Sequence, residues 1–324
     1  MLQYVIRRLL YSVVVLVAAS FLVFFFVTAS GDPLAALYTT PNVSRESIDK
    51  IAERKHINEN VFVRYGYWAK EAVTAKFGTT LLTNQKILPD LWRVMKNTFQ
   101  LVFIAELLAV LVAVAIGVYS ALRQYSVFDY SATTFSFFGL ATPVFWLALM
   151  LQVAVVQIYL STGHRIFPVA SLNSVDPGSG LDFWIDRAHH LVLPVLVLMV
   201  ASIASYSRYM RASMLEVVNS DYVRTARAKG LPERQVTMKH AFRNALIPIV
   251  TIVALNFGTL LGGVIVTETV FSLDGMGLYL VNNLLANDPY PVMAFLMVTA
   301  VMIIVFNLIA DIAYGVLDPR VRYE

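Results

Sequence analysis

Six separated runs of about 20 apolar residues, roughly 9–29, 98–121, 133–160, 190–208, 246–268 and 293–315, limit what this chain can fold into more than any other feature. A helix rises 1.5 Å per residue, so each run is long enough to cross the ~30 Å of hydrocarbon in a bilayer. Of the 324 residues, 58% are hydrophobic and 14% charged, where a soluble chain has about a quarter charged. The expectation is an all-α membrane protein with six transmembrane helices. The first run follows Arg7-Arg8, but it is too long for the apolar core of a signal peptide and reads as a retained span.

Charge on the connections sets the orientation. An even number of spans puts both termini on one side, and Arg7, Arg8, Arg320 and Arg322 mark that side as cytoplasmic. The connection 209–245 falls on the same side and carries Arg211, Arg224, Arg227, Lys229, Arg234, Lys239 and Arg243. The opposite connections, 161–189 and 269–292, hold only Arg165 and Arg187 as cations, against Asp176, Asp182, Asp186, Asp274 and Asp288. Segment 30–97 is also basic and external, since long loops cross largely regardless of charge. The sequence pI of about 9.2 reflects this asymmetry rather than a nucleic-acid partner. Three regions follow: 1–97, the first span with an external segment; 98–315, a five-helix core; and 316–324, a cytoplasmic tail.

In the external segment, Pro41-Asn42-Val43-Ser44 leads into an amphipathic helix with Ile48, Ile51 and Ala52 on one face. Asn42-Val43-Ser44 also fits a glycosylation acceptor, and a helix cap is the reading preferred here. At under 70 residues, the segment suits a lid or docking surface better than a catalytic domain.

Three familiar catalytic motifs are missing from the sequence. Nothing matches G-x-x-x-x-G-K-[ST] or H-E-x-x-H, and no glycines frame a nucleophilic serine. Without cysteine, disulfides and thiolate metal sites are excluded. His189 and His190 are neighbours on a helix, point about 100° apart and read as interfacial packing. No catalytic residue, metal site or cofactor is expected. Three carboxylates, Glu106, Glu268 and Asp311, lie within the apolar runs. Each would cost about 2.5–3.5 kcal/mol against lipid at mid-bilayer, so each needs a cavity or a partner. Glu106 reads as a structural hydrogen-bonding group ahead of a substrate contact. The fifth run carries Gly258, Gly262 and Gly263 with Asn256 and Thr259. Small residues at that spacing allow close helix approach. Two readings stand: packing within the bundle, or a pathway lined jointly with a second membrane subunit, to which Glu268 would also contribute.

The connection 209–245 contains one more local signal. Asn219-Ser220-Asp221 breaks a helix running on from the fourth span, and Ser220 or Asp221 can cap the next. That helix covers only about 222–229, with cations in its last turn where the dipole favours them. Gly230 supplies the left-handed stop and Pro232 opens the following helix. A short helix with Tyr222, Arg224, Thr225, Ala226, Arg227 and Lys229 reads as a docking element for a soluble partner. The bland alternative is a solvated loop helix resting on phospholipid headgroups.

The chain resembles the membrane subunit of an ABC importer of the dipeptide, oligopeptide and nickel class. The resemblance runs through Tyr4-Val-Ile-Arg-Arg-Leu-Leu, Gly31-Asp-Pro33, Phe77-Gly78-Thr79, Gly139 to Trp146 and His190 to Pro194. Most specific is Arg208 to Val218 leading into Tyr222 to Gly230, then His240 to Pro248, with Asp318-Pro-Arg320 near the end. Two departures are Arg224-Thr225-Ala226 in place of E-A-A, and Asp274 where the family usually places proline. The resemblance implies a type I importer permease fold in a prokaryotic cell membrane. It implies as partners a second related permease, two ATP-binding subunits, an external solute-binding protein and membrane lipid. ATP hydrolysis would lie on the ATP-binding subunits, with 222–230 as the coupling helix. The implied solute is a peptide, with nickel, haem or glutathione as alternatives. A secondary transporter is the rival class, but no paired Gly/Pro-broken spans mark the two halves.

Overall fold

The computed structural model describes residues 2–39, 43–74, 76–81 and 83–317. The Asp318-Pro-Arg320 motif, Arg322 and the Pro41-Asn42 pair therefore lie outside the described residues. In chain order the helices are α1 Leu2–Ala29, α2 Ala35–Thr39, α3 Arg45–Arg54, α4 Val61–Val73, α5 Ile87–Leu122, α6 Val127–Ala141 and α7 Val144–Thr162. They continue as α8 Leu181–Val218, α9 Asp221–Ala228 and α10 Glu233–Gln235, which runs into a π-helical stretch, Val236–Phe242. The last four are α11 Arg243–Leu261, α12 Ile265–Val270, α13 Met276–Leu285 and α14 Pro289–Leu317. Among the described residues six helical segments are long and apolar enough to cross a membrane, as the sequence predicts.

The boundaries differ from the apolar runs for identifiable reasons. Both α5, with 36 residues, and α8, with 38, overshoot the bilayer, because their polar ends stay helical beyond the hydrocarbon where hydropathy no longer reports them. The run at 133–160 is two helices. Pro143 has no N–H to continue a helix and pushes Thr142 to an extended ψ of 119°. The fifth span ends at Leu261 rather than 268, since Gly262-Gly263 breaks it. Glu268 therefore sits on the separate short helix α12, outside the span.

The bundle is organised around α5 and α8, which share the most extensive helix contact, with α11 packed along α14. Leu101, Val102 and Ala105 of α5 meet Leu191, Val195 and Leu198 of α8 in the largest core cluster. The external segment is docked rather than free. Ser44 caps α3 by accepting from Ser47 N at 3.2 Å, and the Ile48 and Ala52 face is buried, as its spacing predicts. Helix α4 lies on α1: Tyr65 and Ser20 hydroxyls are 2.8 Å apart, and the rings of Tyr65 and Phe21 meet edge to face at 5.3 Å. Asp288, just before α14, accepts from Leu81 N at 2.6 Å and Tyr290 N at 3.2 Å, and Lys55 donates to Thr79 O at 2.8 Å. Burial holds the Asp288 carboxyl above its ordinary range and the Lys55 ammonium below it.

Candidate coupling and translocation site

The end of α8 carries α9 on an apolar base. Met210 and Met214 are fully buried there, and with Val236, Ala241 and Ala245 they enclose Val223 and Ala226. Positions 223 and 226 are three apart and share one face of the helix. The opposite face, with Tyr222, Arg224 and Thr225, is exposed, as is Lys229 just beyond it. The expected docking face thus divides: Ala226, only 5% exposed, belongs to the chain's own core. Ser220 precedes α9, but its hydroxyl donates back to Val217 O at 2.6 Å and makes no cap bond. Gly230 has φ +75°, the left-handed stop read from the sequence. Arg227 folds back onto Glu233, with Nη2 to Oε1 at 2.8 Å, and its Nη1 reaches Val218 O at 3.4 Å. Arg224 stands 3.8 Å from Asp221, both side chains well exposed.

Two further features hold this platform. Arg211 of α8 forms a two-point ion pair with Asp129 of α6, at 2.6 Å and 2.8 Å. Ser120 also donates to Asp129, as does Tyr125 N at 2.9 Å, so this buried carboxylate joins α5, α6 and α8. The seven-residue π-helical stretch Val236–Phe242 connects the α9 corner to α11. Such stretches are rare and recur at functional positions. Ser213 of α8 donates to Ala245 O at 3.0 Å, tying α11 to the same base.

The residues read as pathway candidates do not share one surface. Asn256 donates to Tyr206 OH at 2.7 Å, and Tyr206 in turn donates to Glu106 Oε2 at 2.6 Å. Ser202 donates to Glu106 Oε1 at 2.6 Å, so Glu106 is the buried link among α5, α8 and α11. Gly258 and Gly262 lie against Phe306 and Thr299 of α14, where an added Cβ would come within 2.8 Å of each. That is packing inside the chain, the first of the two readings. Thr259 is exposed, its hydroxyl donating to Leu255 O at 3.2 Å. Glu268 is buried and accepts from Thr98 Oγ1 at 2.6 Å, Gly277 N at 2.5 Å and Leu278 N at 3.2 Å. It holds the first turn of α13 against α5. Gly275 and Gly277 leave room for this carboxylate and for the α12 backbone; a Cβ on Gly277 would stand 2.5 Å from Ile265 Cα. Asp274, at the family's proline position, is exposed and pairs with Arg93.

Other groups were not legible as partners in the sequence. Arg187, nearly buried, donates to Gln100, Asn173 and Asn97 side-chain oxygens at 2.7, 2.7 and 2.6 Å. Asp311 finds Arg8 at 3.2 Å. His190 Nδ1 lies 2.9 Å from Asp186 O, and His189 packs on Phe167 with centroids 5.2 Å apart. Among the described residues no cluster of three His, Cys, Asp or Glu could hold a metal ion.

Comparison with known proteins bears on nearly the whole chain. Residues 113–323 match the family described as binding-protein-dependent transport system inner membrane component. Residues 1–86 match the description of the N-terminal part of such membrane components. The oligopeptide transport system permease protein AppB of Bacillus subtilis is 37% identical over 325 residues, covering 100% of each chain. The dipeptide transport system permease protein DppB of Alkalihalophilus pseudofirmus is 36% identical, again covering 100% of each. The oligopeptide transport system permease protein OppB of Mycobacterium tuberculosis is 34% identical, covering 99% of each.

Proposed function

Because this chain belongs to the family of binding-protein-dependent transport system inner membrane components, we propose that it is the peptide permease subunit of an ATP-driven importer in the cell membrane. The names of its full-length relatives support a peptide solute over nickel, haem or glutathione. In this reading a second, related permease completes the pathway, an external binding protein delivers the solute, and two ATP-binding subunits hydrolyse ATP. Residues 1–97 provide the first span and an external docking segment. Residues 98–315 form the permease core, and 316–324 a cytoplasmic tail.

The observation that carries the proposal is the mounting of α9. An eight-residue helix has little stability of its own, yet this one is fixed by a buried Val223 and Ala226 so that Tyr222, Arg224, Thr225 and Lys229 face outward. Its base continues through the π-helical stretch into α11 and through Met210 and Met214 into α8. A push on α9 is therefore delivered to two spanning helices.

The test is reconstitution. Labelled peptide should accumulate in vesicles only when the second permease, the ATP-binding subunits, the binding protein and ATP are all present. Accumulation by the purified chain alone, without ATP, would overturn the reading in favour of a secondary transporter. Single cysteines at Ser47 and Ser220 should be labelled by an impermeant thiol reagent from opposite sides of the membrane. Labelling from the same side would overturn the orientation.

A further inference from the structure

Where the end of α1 and the start of α14 meet segment 30–97, the protein forms an open cavity of about 220 Å³. Its floor is apolar, with Phe24 and Val27 from α1 and Val292 and Met293 from α14, all within the spanning stretches. Its rim is charged and formally balanced, with Arg54 at the end of α3, Lys55, and Arg64 on α4 against Asp32, Glu71 and Asp288. Trp68 and Tyr67 stand beside them, aromatic side chains of the kind that collect at the membrane–water boundary. The cavity thus straddles that boundary, apolar towards the hydrocarbon and charged towards water.

Two of the three rim carboxylates have backbone partners, and the third, Glu71, lies near Lys55. Asp288 accepts from two backbone N–H groups, and Asp32 accepts from Leu34 N at 2.8 Å. Lys55 donates to Thr79 O, lies 4.2 Å above the Tyr290 ring, and is balanced by Glu71 and Asp288. Arg54 and Arg64 differ. Among the described residues neither has a carboxylate within ion-pair distance, and the guanidinium of Arg64 lies 6.0 Å from the centre of the Phe24 ring.

We propose that this cavity binds a membrane phospholipid, with Arg54 and Arg64 on the headgroup phosphate and an acyl chain along Phe24, Val27 and Val292. Guanidinium groups match phosphate oxygens with paired, charge-assisted donors, and only a lipid presents that anion together with an apolar chain at this depth. A free phosphate offers the same anion without the chain.

Native mass spectrometry of the full chain in mild detergent separates these cases. Phosphatidylglycerol, diacylglycerol and inorganic phosphate would each be added at equal concentration. Retention of phosphatidylglycerol alone is expected, and Arg54→Gln with Arg64→Gln should lower it by about tenfold or more, the loss of strong charge-assisted contacts. The exposed cation Arg45, substituted as Arg45→Gln, should leave it unchanged. Equal retention by parent and double variant, equal loss in the Arg45 variant, equal binding of diacylglycerol, or binding of inorganic phosphate alone would each overturn the proposal. Thermal melting reports on folding. If the double variant melts early, Arg64→Gln alone carries the same comparison, and Val27→Trp, which fills the floor while keeping both guanidinium groups, should also expel the lipid.

Discussion

Helix α9 and the α12–α13 pair, at opposite ends of the bundle, hold their polar groups differently. At the α9 end, apolar residues form the base and Tyr222, Arg224, Thr225 and Lys229 project away from it. At the α12–α13 end the polar groups are inside: Glu268 is 1% exposed, Arg187 is 8% exposed, and their hydrogen-bond partners belong to this chain. A buried polar group that has its partners within the chain fixes local shape, because moving away would leave those partners unsatisfied. An exposed polar group on a rigid base is available to another molecule. On the proposed reading, the outward face of α9 is the surface open to the ATP-binding subunits, whereas the buried contacts of α12 and α13 hold local geometry.

The largest effects test whether the base of α9 is internal. Ala226→Asp places a charge among Met210, Met214 and Val223, and Arg211→Ala leaves Asp129 buried without its cation. Each should cost about 3–5 kcal/mol, the penalty of an uncompensated buried charge. The thermal midpoint of the purified chain should fall in both cases before any partner is added. If Ala226→Asp melts like the parent and loses only its association with the ATP-binding subunits, Ala226 faces the partner and the contrast between the two ends fails. At the other end, Glu268→Gln keeps the volume and one acceptor but replaces a second acceptor with a donor. Gly277 N–H or Thr98 then goes unsatisfied, at about 1–3 kcal/mol. Melting should again report the loss, and an unchanged midpoint would show that α13 is not held by this carboxylate.

These contacts mark what the sequence could and could not show. Six spans, the α9 corner and its Gly230 stop were legible because hydropathy, capping and left-handed backbone are properties of neighbouring residues. The inward face of α9 could have been read from the Val223 and Ala226 spacing, but a small residue in a family motif reads equally well as a contact surface. The partners of Glu106, Glu268 and Asp129 were not legible. Ser202 and Tyr206 lie 96 and 100 residues from Glu106, and Thr98 lies 170 from Glu268. Pairings of that range depend on how the helices cross, which no local pattern encodes. The cost of an unpaired carboxylate in an apolar run nonetheless required that Glu106 and Asp311 find a cavity or a partner. Gly258 and Gly262 were legible as a close-contact pair, and only the structure assigns the contact to α14.

Smaller effects sharpen the outward-facing half of the comparison. Tyr222 is 46% exposed and makes no contribution to the buried base. Tyr222→Ala should therefore leave the melting of the chain within about 0.5 kcal/mol, as for a surface change. Truncating an aromatic anchor at the centre of an interface costs about 2 kcal/mol or more, so ATP-driven uptake should fall at least tenfold at limiting ATP-binding subunit. Unchanged uptake with unchanged melting would leave α9 as a solvated helix on lipid headgroups.

The smallest effect belongs to Arg227, which faces outward yet is tied to its own chain. Its pair with Glu233 is 2.8 Å long but exposed, with side chains 38% and 63% accessible. An exposed ion pair of this kind contributes about 0–1 kcal/mol and is weakened by salt. Arg227→Ala should lower stability by no more than that, with the difference shrinking as ionic strength rises, and uptake should weaken only slightly. The double variant Arg227→Ala with Glu233→Ala closes a thermodynamic cycle on the pair. A small favourable coupling, lost at high salt, agrees with an intrachain clasp that steadies the corner after Gly230. Should Arg227→Ala instead reduce uptake as severely as Tyr222→Ala while the measured coupling to Glu233 is nil, the guanidinium works on the ATP-binding subunit, and Glu233 is only its resting neighbour.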